Sequence, residues 1–240
     1  QLLLNFFVVL YLGVLPKLTI YFDQNTLKSF FNKFIPAIFA AGVYQLNVLV
    51  DTIFASFLVT GSPTWLYLSE RLIQFPLGLF GVAVALVSLP NLTELFLKNE
   101  MKQISSLSFK ILGLLIAMGI GCFLGAYFLG DLIIQLLFKR GEFTFFDVEM
   151  TYLALQGYAI SLVFLLPQKY FNSLFFAISR TSMVVITGLL ALFTNLILNY
   201  YFIFGLDLAH YGLALATSVS SIIVFFVSIF WLFRQKILMV

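Results

Sequence analysis

Two ionisable side chains stand where an apolar chain accommodates them least. Asp51 lies within NVLVDTIFASFL (47–58) and Arg71 within TWLYLSERLIQF (64–75). Inside a bilayer each such group costs roughly 2.5–3.5 kcal/mol on insertion scales, so each is read as a functional group until a structural partner is found. A guanidinium grips phosphate oxygens bidentately and stays charged at any working pH. A carboxylate ringed by neutral oxygens suits a hard monovalent cation. The spacing supports both. Arg71 and Gln74 share a helical face that continues to Gly78, and Tyr44, Asn47 and Asp51 share another. Asn195 and Asn199 are four apart, as are Thr217 and Ser221, and counting from the span ends puts Asn195, Asn199 and Thr217 level with Asp51. Plainer readings stand beside these. Asp51 and Arg71 could neutralise each other as a structural ion pair, with Glu70 a second partner. The Asn and Thr residues could serve as interhelical hydrogen-bond glue.

The elements that must position these groups follow from composition. The 240 residues are 62% hydrophobic and 10% charged, with a mean hydropathy of +1.08. Soluble domains run nearer 45–50% apolar and about 25% charged, so this is an integral membrane protein. Six apolar runs are long enough to cross, at 30–58, 65–89, 107–129, 148–168, 183–204 and 211–233. Residues 1–16 read as the end of a preceding span, too short to cross alone, and 17–240 as a six-helix lobe. With Gln1 first, the chain reads as part of something longer. No run alternates with period two as a barrel strand must, so the expectation is an all-α polytopic bundle of six full transmembrane helices plus one partial.

Ten of the thirteen Lys and Arg residues sort to one side: Lys17, Lys28 and Lys33, then Lys98, Lys102 and Lys110, then Lys169 and Arg180, then Arg234 and Lys236. That side is cytoplasmic by the positive-inside rule. Lys139 and Arg140 lie opposite among acidic residues, and Arg71 lies within a span. Residues 91–106 read as an amphipathic interfacial helix or a solvated loop, and 131–138 as a short surface helix. Gly121 and Gly125 mark the third span as packed or lipid-facing. Pro36, Pro76 and Pro167, with Gly78 and Gly81, interrupt helices as in a bending transporter or a static membrane helix. His210 reads as an ordinary interfacial residue beside Asp207.

Other chemistries lack their residues. Cys122 is the single cysteine and His210 the single histidine, too few for a structural zinc site. No basic stripe serves nucleic acid, and no phosphate loop, Ser/His/Asp set or paired carboxylates suggest an enzyme.

Several strings are similar to one family: QLNVLVDTIFASFL (45–58), SPTWLYLSERLIQFPLGLFGVAVALVSLPNL (62–92), LFKRGEFTFFDVEMTYLALQGYA (137–159) and GLALATSVS (212–220). They resemble the MurJ/MviN lipid II flippases of the multidrug/oligosaccharidyl-lipid/polysaccharide exporter superfamily. The resemblance implies the second lobe of a fourteen-helix, two-lobed bundle in the bacterial cytoplasmic (inner) membrane. Its implied cargo is a lipid-linked peptidoglycan precursor with a pyrophosphate head group, carried to the outer leaflet by alternating access for cell-wall synthesis. Arg71 then matches a cavity arginine that meets the pyrophosphate, with Gln74 beside it where many relatives carry Glu. Asp51, Asn195, Asn199 and Thr217 match a sodium site found in some members, with no other metal or cofactor implied. The implied partners are membrane lipid and a first lobe absent from these 240 residues. Two alternatives remain: a cation-coupled drug or polysaccharide exporter of the same superfamily, and a non-functional or regulatory half-bundle.

Overall fold

The computed structural model describes residues 2–11, 13 and 23–238, in two units, 1–35 and 36–240. Every regular element among the described residues is helical. The first unit holds α1 (Leu2–Tyr11) and the start of α2 (Gln24–Ser56), where the rings of Phe30 and Phe34 stack at 4.9 Å. The boundary expected at 16/17 and Lys17 lie outside the described residues, as do the side chains of Lys33, Pro36 and Tyr44.

The second unit continues α2 and adds the rest of the bundle. Helix α3 (Ser62–Pro76) passes through a π turn (Leu77–Val82) into α4 (Ala83–Leu97), and α5 (Met101–Phe138) returns. Helices α6 (Phe145–Ala159) and α7 (Leu162–Ala177) form a pair bent by 50°. Helix α8 (Thr181–Tyr200) ends in a second π turn (Tyr201–Gly205), and α9 (Ala209–Arg234) follows. Four segments are long and apolar enough to cross a membrane: Ser62–Leu97, Met101–Phe138, Thr181–Gly205 and Ala209–Arg234. The bent pair makes a fifth when taken as one span. Helix α2, at 33 residues, occupies most of the first expected run.

The bent pair is the centre of the bundle. Leu166, Tyr170, Phe171, Leu174 and Phe175 of α7 are fully buried, packed with Leu92 of α4 and with Ile104 and Leu115 of α5. A second cluster joins Ile134 of α5, Leu155 of α6 and Leu213 of α9. Lipid tails are as apolar as these side chains, so tight fit and hydrogen bonds hold such helices together more than expulsion of water does. Both are visible. A Cβ on Gly119 of α5 would fall 2.7 Å from the Val163 Cα, so the bare glycine lets α5 lie directly on the backbone at the bend. Small hydroxyls tie neighbours to each other: the Ser69 Oγ lies 2.7 Å from the Thr151 carbonyl, and Ser218 donates to the Gly157 carbonyl at 2.6 Å.

The structure differs from the sequence reading in three places. Residues 91–106 form no separate interfacial helix: α4 runs to Leu97, and a three-residue turn with Asn99 at φ 57° leads into α5. Residues 131–138 are the last turns of α5 rather than a surface helix, because nothing between Leu129 and Phe138 breaks it and Gln135 bonds back to Asp131 at 2.7 Å. Pro76 interrupts its helix as expected, since α3 ends at it and a π turn follows. Lys169, assigned to the connection after the fourth span, lies in the middle of α7, because that helix continues past 168 to Ala177.

Candidate functional site

The layer of oxygens counted out from the span ends is assembled by α2, α8 and α9. Asn199 donates from Nδ2 to the Asp51 carboxylate at 2.6 Å and to the Asn195 Oδ1 at 2.9 Å. Asn195 in turn donates to the Thr217 Oγ at 3.1 Å. The four residues therefore form one chain of hydrogen bonds, with Asn195 and Asn199 fully buried. Helical geometry explains the meeting, since residues four apart on α8 present both amides to the same side. The chain leaves oxygens over. Asn199 Oδ1 and Asn47 Oδ1, the latter one turn before Asp51 on α2, are buried without a hydrogen-bond partner. An unsatisfied buried acceptor costs about 1–3 kcal/mol, so two of them in one carboxylate layer are what a cation's coordination shell would use.

Arg71 occupies the neighbouring face. Its guanidinium is exposed, donates to the Gln74 Oε1 at 3.0 Å and lies 4.7 Å over the Tyr67 ring. Gln74 then donates to Glu70 at 2.8 Å, so one amide bridges the cation and its acidic sequence neighbour. Arg71 and Asp51 are not locked together: the carboxylate is held by Asn199 and the guanidinium by Gln74. Between α2 and α3 lies a cleft of about 350 Å³ lined by Val48, Asp51, Thr52, Tyr67 and Glu70, among others. Asp51 therefore borders an opening.

The sequence reading missed what fixes α3 in place. Trp65 is buried and donates from its indole to the Asp147 carboxylate at 2.9 Å, 82 residues away. The same carboxylate accepts from the Thr144 backbone N–H at 2.8 Å and hydroxyl at 2.7 Å, closing a capping box at the start of α6. His210 is no interfacial bystander. It is buried on α9, 5.2 Å from the Trp65 ring, with Nε2 2.9 Å from the Met150 carbonyl. Gly61, at φ 104°, makes room for that indole, since a Cβ there would fall 2.6 Å from the ring. Two quoted strings, 62–92 and 137–159, thus meet at one corner.

The description "Lipid II flippase MurJ" belongs to the family model that matches residues 1–239. The chain belongs to the MurJ family. A probable lipid II flippase MurJ of Vibrio cholerae serotype O1 is 37% identical over 187 residues, covering 78% of this chain and 35% of that protein. One from Buchnera aphidicola subsp. Schizaphis graminum is 30% identical over 230 residues, covering 93% and 42%. This MurJ-family chain thus spans well under half the length of those curated relatives. A solved lipid II flippase MurJ in an inward closed conformation aligns over 97% of this chain and 48% of its own, with TM-score 0.74 and 29% identity. An outward-facing multidrug resistance transporter of the MATE family matches with TM-score 0.74 at 17% identity over 84% of this chain and 44% of its own, which speaks to the fold alone. Membership in the MurJ family and the apolar spans place the chain in the bacterial inner membrane as an all-helical bundle.

Proposed function

We propose that this chain forms one lobe of a flippase that carries a lipid-linked peptidoglycan precursor, lipid II, from the cytoplasmic to the outer leaflet by alternating access. The observation that carries the reading is the exposed Arg71 guanidinium, held by Gln74 on the helix whose Tyr67 and Glu70 line an open cleft. A diphosphate cannot cross hydrocarbon uncompensated, so its carrier needs a wet face with fixed cations while the prenyl tail stays in lipid. Arg71 supplies such a cation, and Gln74 orients it through its amide oxygen. This is transport without bond-making, and no residue is assigned a catalytic part.

Sodium is the ion we assign to the Asp51 layer. The oxygens that would hold it are the Asp51 carboxylate, the free Asn199 and Asn47 amide oxygens and, after amide rotation, Asn195 with Thr217. Bound there, the ion neutralises the carboxylate and joins α2 to α8 and α9, favouring whichever conformation brings these helices together. The membrane potential contributes about 2.3 kcal/mol per charge per 100 mV toward resetting the cycle.

The test uses a strain whose growth depends on the gene. Arg71→Ala and Arg71→Lys, present in the membrane at normal levels, should fail to support growth and should leave precursor accumulated on the inner leaflet, because lysine lacks the bidentate fork. Healthy growth of both variants rejects the reading. Accumulation of a different cargo on depletion would favour the exporter alternative.

A further inference from the structure

The cleft between α2 and α3 has a direction. Its mouth is at the short turn joining the two helices, where the exposed Pro63 and Thr64 in the first turn of α3 line it. Its floor holds Asp51, five residues before the end of α2, and Glu70, eight after the start of α3, so the two carboxylates lie about 8 and 12 Å of helical rise below that turn. The turn lies opposite the side that gathers ten of the thirteen Lys and Arg residues, and so on the outer side. A volume of about 350 Å³ leaves room for several water molecules at about 30 Å³ each. Two of the lining residues are acidic and none is basic. Arg71 stands apart from this lining, over the ring of Tyr67 and bonded to Gln74. The amide that Gln74 turns to Glu70 is neutral, so that bond orients the carboxylate without cancelling its charge. Low-dielectric walls bearing one sign of charge focus the field and raise the local concentration of counter-ions. Thr52, exposed beside Asp51, donates its hydroxyl proton to the Val48 carbonyl at 2.8 Å, so its oxygen is left as an acceptor. Asp51 itself belongs to two surroundings. It lines the cleft, and it accepts from the fully buried Asn199, whose Oδ1 has no donor. One carboxylate therefore joins an opening to a buried set of acceptors.

We infer that this cleft is the route by which a monovalent cation reaches the Asp51 layer from the outer face, with Glu70 as the charge that draws cations along it. The inference rests on the reading of that layer as an ion site, and adds its entrance and its sidedness. Water fills the route, and the ion exchanges its own water for protein oxygens only at Asp51, where the carboxylate offsets the lost hydration.

The test labels single cysteines in the complete gene product, freed of Cys122 and any other native cysteine, in right-side-out membrane vesicles. Thr52→Cys lies in the wall of the cleft and Thr64→Cys at its mouth. The probes are two membrane-impermeant thiosulfonate reagents, one a trimethylammonium cation and one a sulfonate anion, each scaled to its rate with a free thiol. Thr52→Cys should react from outside about tenfold faster with the cation than with the anion, and Glu70→Gln should bring the two rates together. Sodium should slow the cationic reagent severalfold where choline does not, and Asp51→Asn should abolish that protection. Reaction of either cysteine only in inverted vesicles, or in neither orientation, overturns the inference. So do equal rates of Thr52→Cys with both reagents. Should Thr52→Cys not fold, Val48→Cys, one turn deeper in the same wall, makes the same measurement. A melt in sodium against choline separates the two claims. If sodium raises the melting temperature of the unaltered protein but does not protect Thr52→Cys, only the entrance falls. If sodium raises no melting temperature, the ion site itself falls and the entrance with it.

Discussion

The carboxylate of Asp51 on α2 accepts a 2.6 Å hydrogen bond from the side-chain amide of Asn199 on α8, across 148 residues of chain. Both amide hydrogens of Asn199 are committed, one to Asp51 and one to Asn195, while its oxygen faces no donor. The site is thus preloaded with acceptors. Ionised, one carboxylate among neutral oxygens would match the single charge of the monovalent cation proposed above.

Sodium should stabilise the unaltered protein and leave Asp51→Asn unaffected. A ligand present at a hundred times its dissociation constant adds about 2.7 kcal/mol, enough to move a melting temperature measurably. The comparison is a melt in sodium chloride against the same concentration of choline chloride. An equal sodium-dependent rise in Asp51→Asn would remove the carboxylate from the ion site.

Trp65 gives a graded series. Trp65→Phe keeps the ring but loses the N–H to Asp147, and should cost about 1.5 kcal/mol, the lower range for a bond to a charged group. Trp65→Ala also empties a buried volume against Phe146 and His210 and should cost about 3–5 kcal/mol. Asp147→Ala should exceed Trp65→Phe, since it also removes the partner of Thr144 at the start of α6. Thermal denaturation in detergent reads all three.

Two glycines two residues apart on α5 should respond oppositely to alanine. At Gly119 the new methyl meets the Val163 Cα at 2.7 Å and the Leu162 carbonyl at 2.9 Å, which are backbone atoms that cannot swing aside. Gly119→Ala should therefore destabilise by about 1–3 kcal/mol. At Gly121 nothing lies within 4 Å, and alanine should be neutral or stabilising by up to about 1 kcal/mol through helix propensity. Melting temperatures of the two variants check the contrast, and equal shifts would contradict the close approach of α5 to the bend.

The meeting of Asp51, Asn195, Asn199 and Thr217 was legible because helical arithmetic applies to it directly. Asn195 and Asn199 are one turn apart, and counting residues from the span ends gives depth without knowing which helices touch. The freedom of Arg71 was not legible. Sequence spacing left an Asp51 pair open beside an open face, and the positions of Asn199 and Gln74 show the two groups held by different partners. Lys169 was misplaced for a physical reason: a lysine after a long apolar run resembles the end of a span. Here the helix is bent, and a polar band around Gln168 lies within it. The Trp65–Asp147 bond joins residues 82 apart, and no local periodicity encodes such a meeting.

The π turn at Leu77–Val82 leaves a mark on everything beyond it. Such a turn holds one residue more than a regular helical turn, which rotates the following helix by about 100°. Ser88 and Leu92 point inward only because that extra residue is present. Shortening this stretch by one residue would restore a regular helix and swing both side chains away from the core, while the exposed Leu86 and Val87 would change bearing with them. A change in length here is therefore felt by every residue that follows on α4. The segment is tuned in its residue count, as a gear is in its number of teeth.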